Sequence, residues 1–331
     1  MTNVFRVVLV MVVALVLVPC AAAQDGMVHK NGTPSDSAGS MHYRIYRPSG
    51  EQIDFETMAA EVYRADAVLV GEEHDDPIAH FLQAKLLRAV HEKRLSDGDS
   101  VGAVVLTLEM FERDVQDIVD EYLDGFISEK QFKSSARPWQ NYDTDYRPAV
   151  EYARENGIPV VAANAPRRYA SRVTQMGPES LLELPESARQ WLPPLPYRQA
   201  SREYIKEWNA EMADNGHGAP SAPSEPVEEE VALYPNMLAA QSLWDASMAF
   251  SIADALLRHP GATAVHFVGA FHVRNHTGIP EHLNRYRPGS DVKVIAVDSS
   301  ADITKLDPAE STAGDYIILT DENLPRSHER R

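Results

Sequence analysis

The sequence predicts an α/β fold: a mostly parallel sheet flanked by helices, with a smaller helical insertion. Short unbroken apolar runs, at 67–70 (AVLV), 101–110 (VGAVVLTLEM), 158–163 (IPVVAA) and 264–268 (AVHFV), have the character of strands covered on both faces. Stretches with helical period alternate with them, as parallel sheets require. The length, 331 residues with 44% hydrophobic, is enough for a sizeable buried core.

The elements follow in order. Residues 42–48 (HYRIYRP) alternate and carry aromatics, so they read as an edge strand. Asp54 to Arg64 reads as a short helix. The strand at 67–70 ends in Gly71. Ile78 to Lys93 has apolar residues at 78, 81, 82, 86, 87 and 90, the helical period. After the second strand come helices at Asp114–Leu123 and Pro148–Asn156, the latter closed by Gly157. From about residue 170 the character changes. Leu181–Leu192 reads as a helical piece stopped by Pro193-Pro194, and Tyr197–Met212 as a polar amphipathic helix. Asn215–Glu230 reads as a loop rich in Pro, Ser and Glu, which makes 170–235 the helical insertion. The core resumes with a long helix at Met237–Arg258, the strand at 264–268, and strands at Val292–Val297 and Tyr316–Leu319. Residues 321–331 read as an untethered polar tail.

The first residues lie outside this fold. Arg6 precedes a twelve-residue apolar run, Val7–Val18, too short to span a bilayer. Ala21-Ala22-Ala23 follows, so 1–23 reads as a secretory signal peptide and 24–41 as a flexible leader. Cys20 leaves two readings. Cleavage after Ala23 discards it and frees the protein into the periplasm. Cleavage before it makes a lipidated N-terminus on the outer membrane, although Pro19 departs from the small residue such sites carry.

As the only cysteine, Cys20 excludes an internal disulfide and any thiolate metal cluster. The net charge of −18 argues against a nucleic-acid partner, because neutralising phosphates takes a basic surface.

In open parallel sheets, ligands sit at the carboxyl ends of the strands. Two segments there share a design, Gly71-Glu72-Glu73-His74 and Gly269-Ala270-Phe271-His272: strand, glycine for a sharp exit, two residues, histidine. Together with Glu109 at the end of its own apolar run, His74 and His272 form a set suited to acid–base chemistry or to a divalent metal, with Glu72 as a further ligand. Alternatively Glu72 or Glu73 caps the following helix. A buried Glu109 needs a donor or a cation, for which Arg113 and Arg167 are candidates. The four acidic residues Glu72, Glu73, Asp75 and Asp76 suit a cation at this edge. Trp139 to Arg147 reads as an aromatic lid over site or core. Tyr197, Tyr204, Trp208, Met212, His217 and Tyr234 form a second aromatic set. It is either an ordinary buried helix face or a surface for a flat apolar ring.

The strings VLVGEEHDDPIAHFLQAKLL, LTLEMFERDVQ, WQNYDTDYRPAVEYARENGIPVVAANAPR, AQSLWDASMAF and HFVGAFHVRNHTGIPEHL resemble the ChaN-like haem-binding lipoproteins, in collinear order over roughly 42–300. These belong to a wider superfamily with the Tiki proteases and the erythromycin esterases. The resemblance implies a ChaN-like α/β domain over 42–320, export with a lipid anchor in many members, haem bound through a tyrosine, and a haem-linked homodimer with cofacial rings. It also implies a role in haem or iron acquisition, with an outer-membrane haem receptor as partner. The family's G-E-x-H falls on Gly71, Glu72 and His74, its acidic strand end on Glu109, and its second G-x-x-H on Gly269 and His272. For the haem iron, Tyr204 with His217 is the first candidate and Tyr234 the second. The wider superfamily uses such histidines and a glutamate in hydrolysis, sometimes with a metal. A hydrolase of peptides, esters or lactones built on His74, Glu109 and His272 is therefore the alternative. The acidic loop Ser221–Glu230 has no counterpart in the family pattern.

Overall fold

The computed structural model describes residues 41–99, 103–214 and 231–328. The signal peptide, Cys20, the leader, His217 and the Ser221–Glu230 loop lie outside them.

Among the described residues eight strands form one sheet: β1 (Tyr43–Tyr46), β2 (Gln52–Ile53), β3 (Ala67–Glu72), β4 (Val104–Glu112), β5 (Val160–Asn164), β6 (Thr263–Gly269), β7 (Val292–Ser300) and β8 (Tyr316–Asp321). Their order is β2-β1-β8-β7-β3-β6-β4-β5. The six from β8 to β5 are parallel, and β1 runs antiparallel to both its neighbours. The expected edge strand β1 is thus covered, and the two-residue β2 is the edge. The chain runs β3, β4, β5 to one side, then returns to insert β6 between β3 and β4 before crossing to β7. That return makes the carboxyl ends of β3 and β6 neighbours, with Glu72 in register with Gly269.

Among the described residues ten α-helices accompany the sheet: α1 (Phe55–Val62), α2 (Pro77–Ser96), α3 (Gln116–Leu123), α4 (Glu129–Ala136), α5 (Arg147–Glu155), α6 (Arg167–Met176), α7 (Glu186–Arg189), α8 (Arg202–Asp214), α9 (Pro235–Arg258) and α10 (Ile279–Tyr286). The face lined by Val70, Leu106, Leu108 and Phe267 packs on α1 to α5, and the opposite face, with Leu69 and Val268, packs on α9 and α10. β3 and β6 are buried along their whole length, which is why they read as unbroken apolar runs. Among the described residues no helix is long and apolar enough to cross a membrane.

Several elements differ from expectation. The helix expected at 197–212 begins at Arg202, because the Ser201 hydroxyl accepts from the Tyr204 N–H and caps it there. The piece expected at 181–192 is a 3-10 stretch, Pro178–Glu183, then α7, with Pro185 between them unable to donate. α4, α6 and α10 were not anticipated. α4 carries a capping box, Ser128 with Gln131. Of the expected loose tail, the described part up to residue 328 is held in place. The Ser327 N–H donates to the Asp75 carbonyl (3.0 Å), its hydroxyl to Asp145 (2.5 Å), and Arg326 pairs with Glu73 (3.3 Å).

Candidate functional site

The adjacent ends of β3, β6 and β4 gather the site. Glu72 is the last residue of β3 and is buried. Its Oε1 accepts from the His74 Nδ1–H (2.9 Å) and from the Tyr146 hydroxyl, and its Oε2 from the Gln83 amide (2.5 Å). Burial alone would raise its pKa. The neighbouring His80 and His74 and the Tyr146 hydroxyl outweigh this and hold the carboxylate below its ordinary value. Tyr146 reaches Glu72 from a π-helical turn, Tyr142–Tyr146, whose extra residue turns the ring inward. The His74 ring stands edge-on to Trp139 at 4.6 Å, and the Asn141 amide donates to the His74 carbonyl (2.8 Å). The aromatic stretch at 139–147 therefore walls the site as well as packing on the core.

Glu109 lies within β4 rather than at its end. The β4–β6 ladder ends at Leu108 and Phe267, and the β4–β5 register shifts beyond Leu108, so Glu109 sits where β4 parts from its neighbours. Its Oε2 accepts the Gly269 N–H (2.7 Å), in effect continuing the broken ladder through a side chain. Its Oε1 lies 3.5 Å from His272 Nε2. Arg113 and Arg167 do not serve it. Arg113 donates to Ser251, and Arg167 offers only its backbone N–H, to Glu112.

Gly71 and Gly269 lie inside their strands with ordinary φ, so a sharp exit is not their purpose. Close approach is. A Cβ on Gly269 would fall 2.9 Å from His74 Cε1 and 3.6 Å from Glu109 Oε2. A Cβ on Gly71 would fall 3.1 Å from the Ala270 Cα.

The third arm was not foreseen. Asp245, in the middle of α9, is fully buried. It accepts from the His272 Nδ1–H (2.5 Å) and from the Tyr204 hydroxyl (2.7 Å). Gly278, at φ +64°, makes room for this pair: a Cβ there would fall 2.5 Å from the His272 carbonyl oxygen. Burial opposes a charge on His272. Asp245 and then Glu109 overturn that and push its pKa up to about 10. Glu109 mirrors it. Burial would raise its pKa, but the His272 charge, with His74 and the Gly269 N–H, lowers it to about 2. The result is a line of alternating charges: Asp245, His272, Glu109, His74, Glu72. Four are buried, and His74, its side chain 45% exposed, meets solvent.

His272 faces a carboxylate with each nitrogen, Asp245 at 2.5 Å and Glu109 at 3.5 Å, so in this arrangement neither nitrogen is turned toward a metal. Among the described residues, no three His, Cys, Asp or Glu are placed to hold a metal ion. The four acidic residues after β3 are also engaged. Glu73 accepts from Ser299 (2.5 Å) and pairs with Arg326. Asp75 lies 3.5 Å from the same guanidinium. Asp76, not Glu72 or Glu73, caps α2.

The haem candidates separate. Tyr204, Trp208 and Met212 form the buried face of α8, packed with Leu238 and Phe271. Burial and Asp245 raise the Tyr204 pKa well above its ordinary value, which disfavours a tyrosinate. Tyr197 belongs to another cluster and donates to the Ala239 carbonyl (2.7 Å). Tyr234, by contrast, is 43% exposed just before α9, in the left-handed region. Val231 and Met237 are exposed with it. Gly177 lies close to Asn236 at the start of α9, and Met176 before it is exposed.

Comparison with known proteins extends this picture. The family model described as "Haem-binding uptake, Tiki superfamily, ChaN" matches residues 58–283. The chain is similar to protein RETICULATA-RELATED 5, chloroplastic, of Arabidopsis thaliana, with 25% identity over 269 residues. The match covers 78% of this chain and 34% of that relative. Among solved structures it is similar to ChaN of Campylobacter jejuni, described with cofacial haem binding. The TM-score is 0.62 at 18% identity, over 85% of this chain and 97% of the other, a likeness of fold.

Proposed function

Because the chain belongs to the ChaN family of haem-binding uptake proteins in the Tiki superfamily, we propose that it binds haem through Tyr234 and serves haem uptake in the cell envelope. The observation that carries the assignment is the contrast between two tyrosines. Tyr204 is almost wholly buried with its hydroxyl on a carboxylate, whereas Tyr234 is 43% exposed, in the same stretch of chain as exposed Val231 and Met237. An exposed apolar surface suits one face of a flat ring, and a phenolate suits ferric iron. The C. jejuni structure has cofacial haem. Two copies of this chain, each with a ring on this patch, would cover one another's apolar surface, which accounts for its exposure in one copy. Export by the signal peptide, anchoring through Cys20 and delivery from an outer-membrane haem receptor belong to the same proposal. Mass spectrometry of the mature N-terminus tests the anchor.

Hemin titration followed in the Soret and charge-transfer bands tests the ligand. Tyr234→Phe is expected to lose the tyrosinate spectrum, with Tyr204→Phe keeping it and His217→Ala reporting on a neighbouring histidine. An unchanged spectrum in Tyr234→Phe overturns the assignment.

One observation favours a second reading, a hydrolase. His74 is the only solvent-facing member of the charged line, and Glu72 holds its Nδ1 while Nε2 points over Gly269 toward Glu109. In its neutral form His74 has the posture of a general base acting on water; burial would lower its pKa, but Glu72 and Glu109 outweigh this and raise it, so the base form gains as pH rises. With His272 supplying the positive charge, the mechanism needs no metal. Hydrolysis of p-nitrophenyl acetate or a peptide panel that persists in EDTA and disappears in His74→Ala is the expected signature. Activity indifferent to His74 would sink this reading.

A further inference from the structure

A groove of about 950 Å³ runs along α2; at its Pro77 end it is lined by His80 and Asp145, behind Glu72 and His74 of the strand-end site, and none of the Tyr234 patch lines it. Its lining residues follow α2 from Pro77 to Ser96, so it is roughly 30 Å long. The far wall is Phe55 at the start of α1 and Pro148 and Tyr152 of α5. One end is roofed by Leu324 of the C-terminal segment, which the Ser327 and Arg326 contacts hold in place. That roofed end is mixed: Ile78, Phe81 and Leu324 give it an apolar strip, bordered by His80, Asp145 and Arg326. The middle is cationic. Lys85 holds its ammonium 4.3 Å over the Phe55 ring, and Arg88 its guanidinium 5.0 Å over Tyr152. Among the described residues neither is ion-paired, although the chain carries −18 overall. Glu56 and Glu92 also face the groove, and Lys93 stands beside Glu92.

We infer that this groove is a binding site for a single acyl chain ending in an anion. The volume suits a small amphiphile, and the length favours a linear molecule over a compact one. The chain would lie toward Ile78, Phe81 and Leu324. Its head group would draw Lys85 and Arg88 off the rings and onto itself, since a charge-assisted hydrogen bond is stronger than a cation over a partly hydrated ring. A cationic or neutral head leaves both side chains where they are and gains nothing from them.

Calorimetric titration of the purified protein with sodium dodecanoate, 1-dodecanol and dodecyltrimethylammonium tests this. Dodecanoate should bind one-to-one and at least tenfold more tightly than the other two. Reversal of both charges, Lys85→Glu with Arg88→Glu, should weaken it at least tenfold. Ala84→Trp, which fills the floor, should abolish it while leaving the hemin titration unchanged, which keeps this site separable from the haem assignment. Absence of dodecanoate binding overturns the proposal. So does equal affinity for the three head groups, or indifference to charge reversal in protein of unchanged circular dichroism. Loss of hemin binding in Ala84→Trp overturns it as well, by making the groove the haem's own.

Discussion

Asp245 shows how one residue joins parts of the chain that look independent. It ties His272, at the end of a core strand, to Tyr204 on a peripheral helix, through two hydrogen bonds in a site with no water contact. Removing one partner of a buried charge pair costs about 3–5 kcal/mol, so Asp245→Asn should lower the melting temperature markedly at pH 6. The pH dependence follows from the sign of each shift. His272 titrates near 10 in the folded protein against an ordinary 6.5. Its contribution is therefore complete below about 6.5 and lost as pH rises toward 10. Glu109 titrates near 2 against 4.5, so its contribution is complete above about 4.5 and lost as pH falls toward 2. Differential scanning fluorimetry from pH 6 to 10 should show wild type losing stability steadily and Asp245→Asn losing much less over the same interval. Parallel curves would refute the coupling. Gly269→Ala tests the close approach of His74. Overpacking of this kind costs about 1–3 kcal/mol, and the displaced His74 ring should also show an altered imidazole pKa by NMR.

At the scale of elements, the strands were legible and the polar helices were not. β3, β4, β5 and β6 announce themselves because parallel strands buried on both faces leave no polar residues to blur the signal. α4 and α6 are short and polar, and they hide. The pairing of His74 with His272 could be expected from two strand ends with the same design. Asp245 could have been suspected, because a lone carboxylate inside the apolar run of α9 is costly without partners. Its partners, 41 residues before it and 27 after it, are set by packing alone. The tail after β8 could not be read either, since its anchors are single contacts without a period. Deleting residues 323–331 removes the Leu324 packing and the Ser327 and Arg326 contacts. The truncated protein is expected to melt lower and to expose the 77–81 turn to proteolysis. An unchanged cleavage pattern would show that the segment holds nothing in place.

For the whole molecule, charge would oppose the proposed haem-linked assembly. Two copies at −18 each repel, so a haem-linked pair must overcome that repulsion. Hemin should therefore shift the protein from monomer to dimer in sedimentation velocity, more completely at 0.5 M salt than at 0.05 M, because salt screens the opposing charge. A hemin-loaded monomer at every salt concentration would exclude a shared site. The acidic surface serves a second purpose, since it makes the Lys85 and Arg88 groove a local exception in the field of the molecule.

β1 and β8 lie side by side, and the Asp321 N–H donates to the His42 carbonyl, so the described chain begins and ends at the same corner of the sheet. A pull on the C-terminal side would first load the Ser327 and Arg326 contacts to Asp75, Asp145 and Glu73, next to His74. Only when these gave would the antiparallel pair open like a zipper from Tyr43 and Thr320 inward, one bond at a time. A protein tethered at its N-terminus and dragged from its C-terminus would thus feel the force beside the strand-end site before it shed its rim.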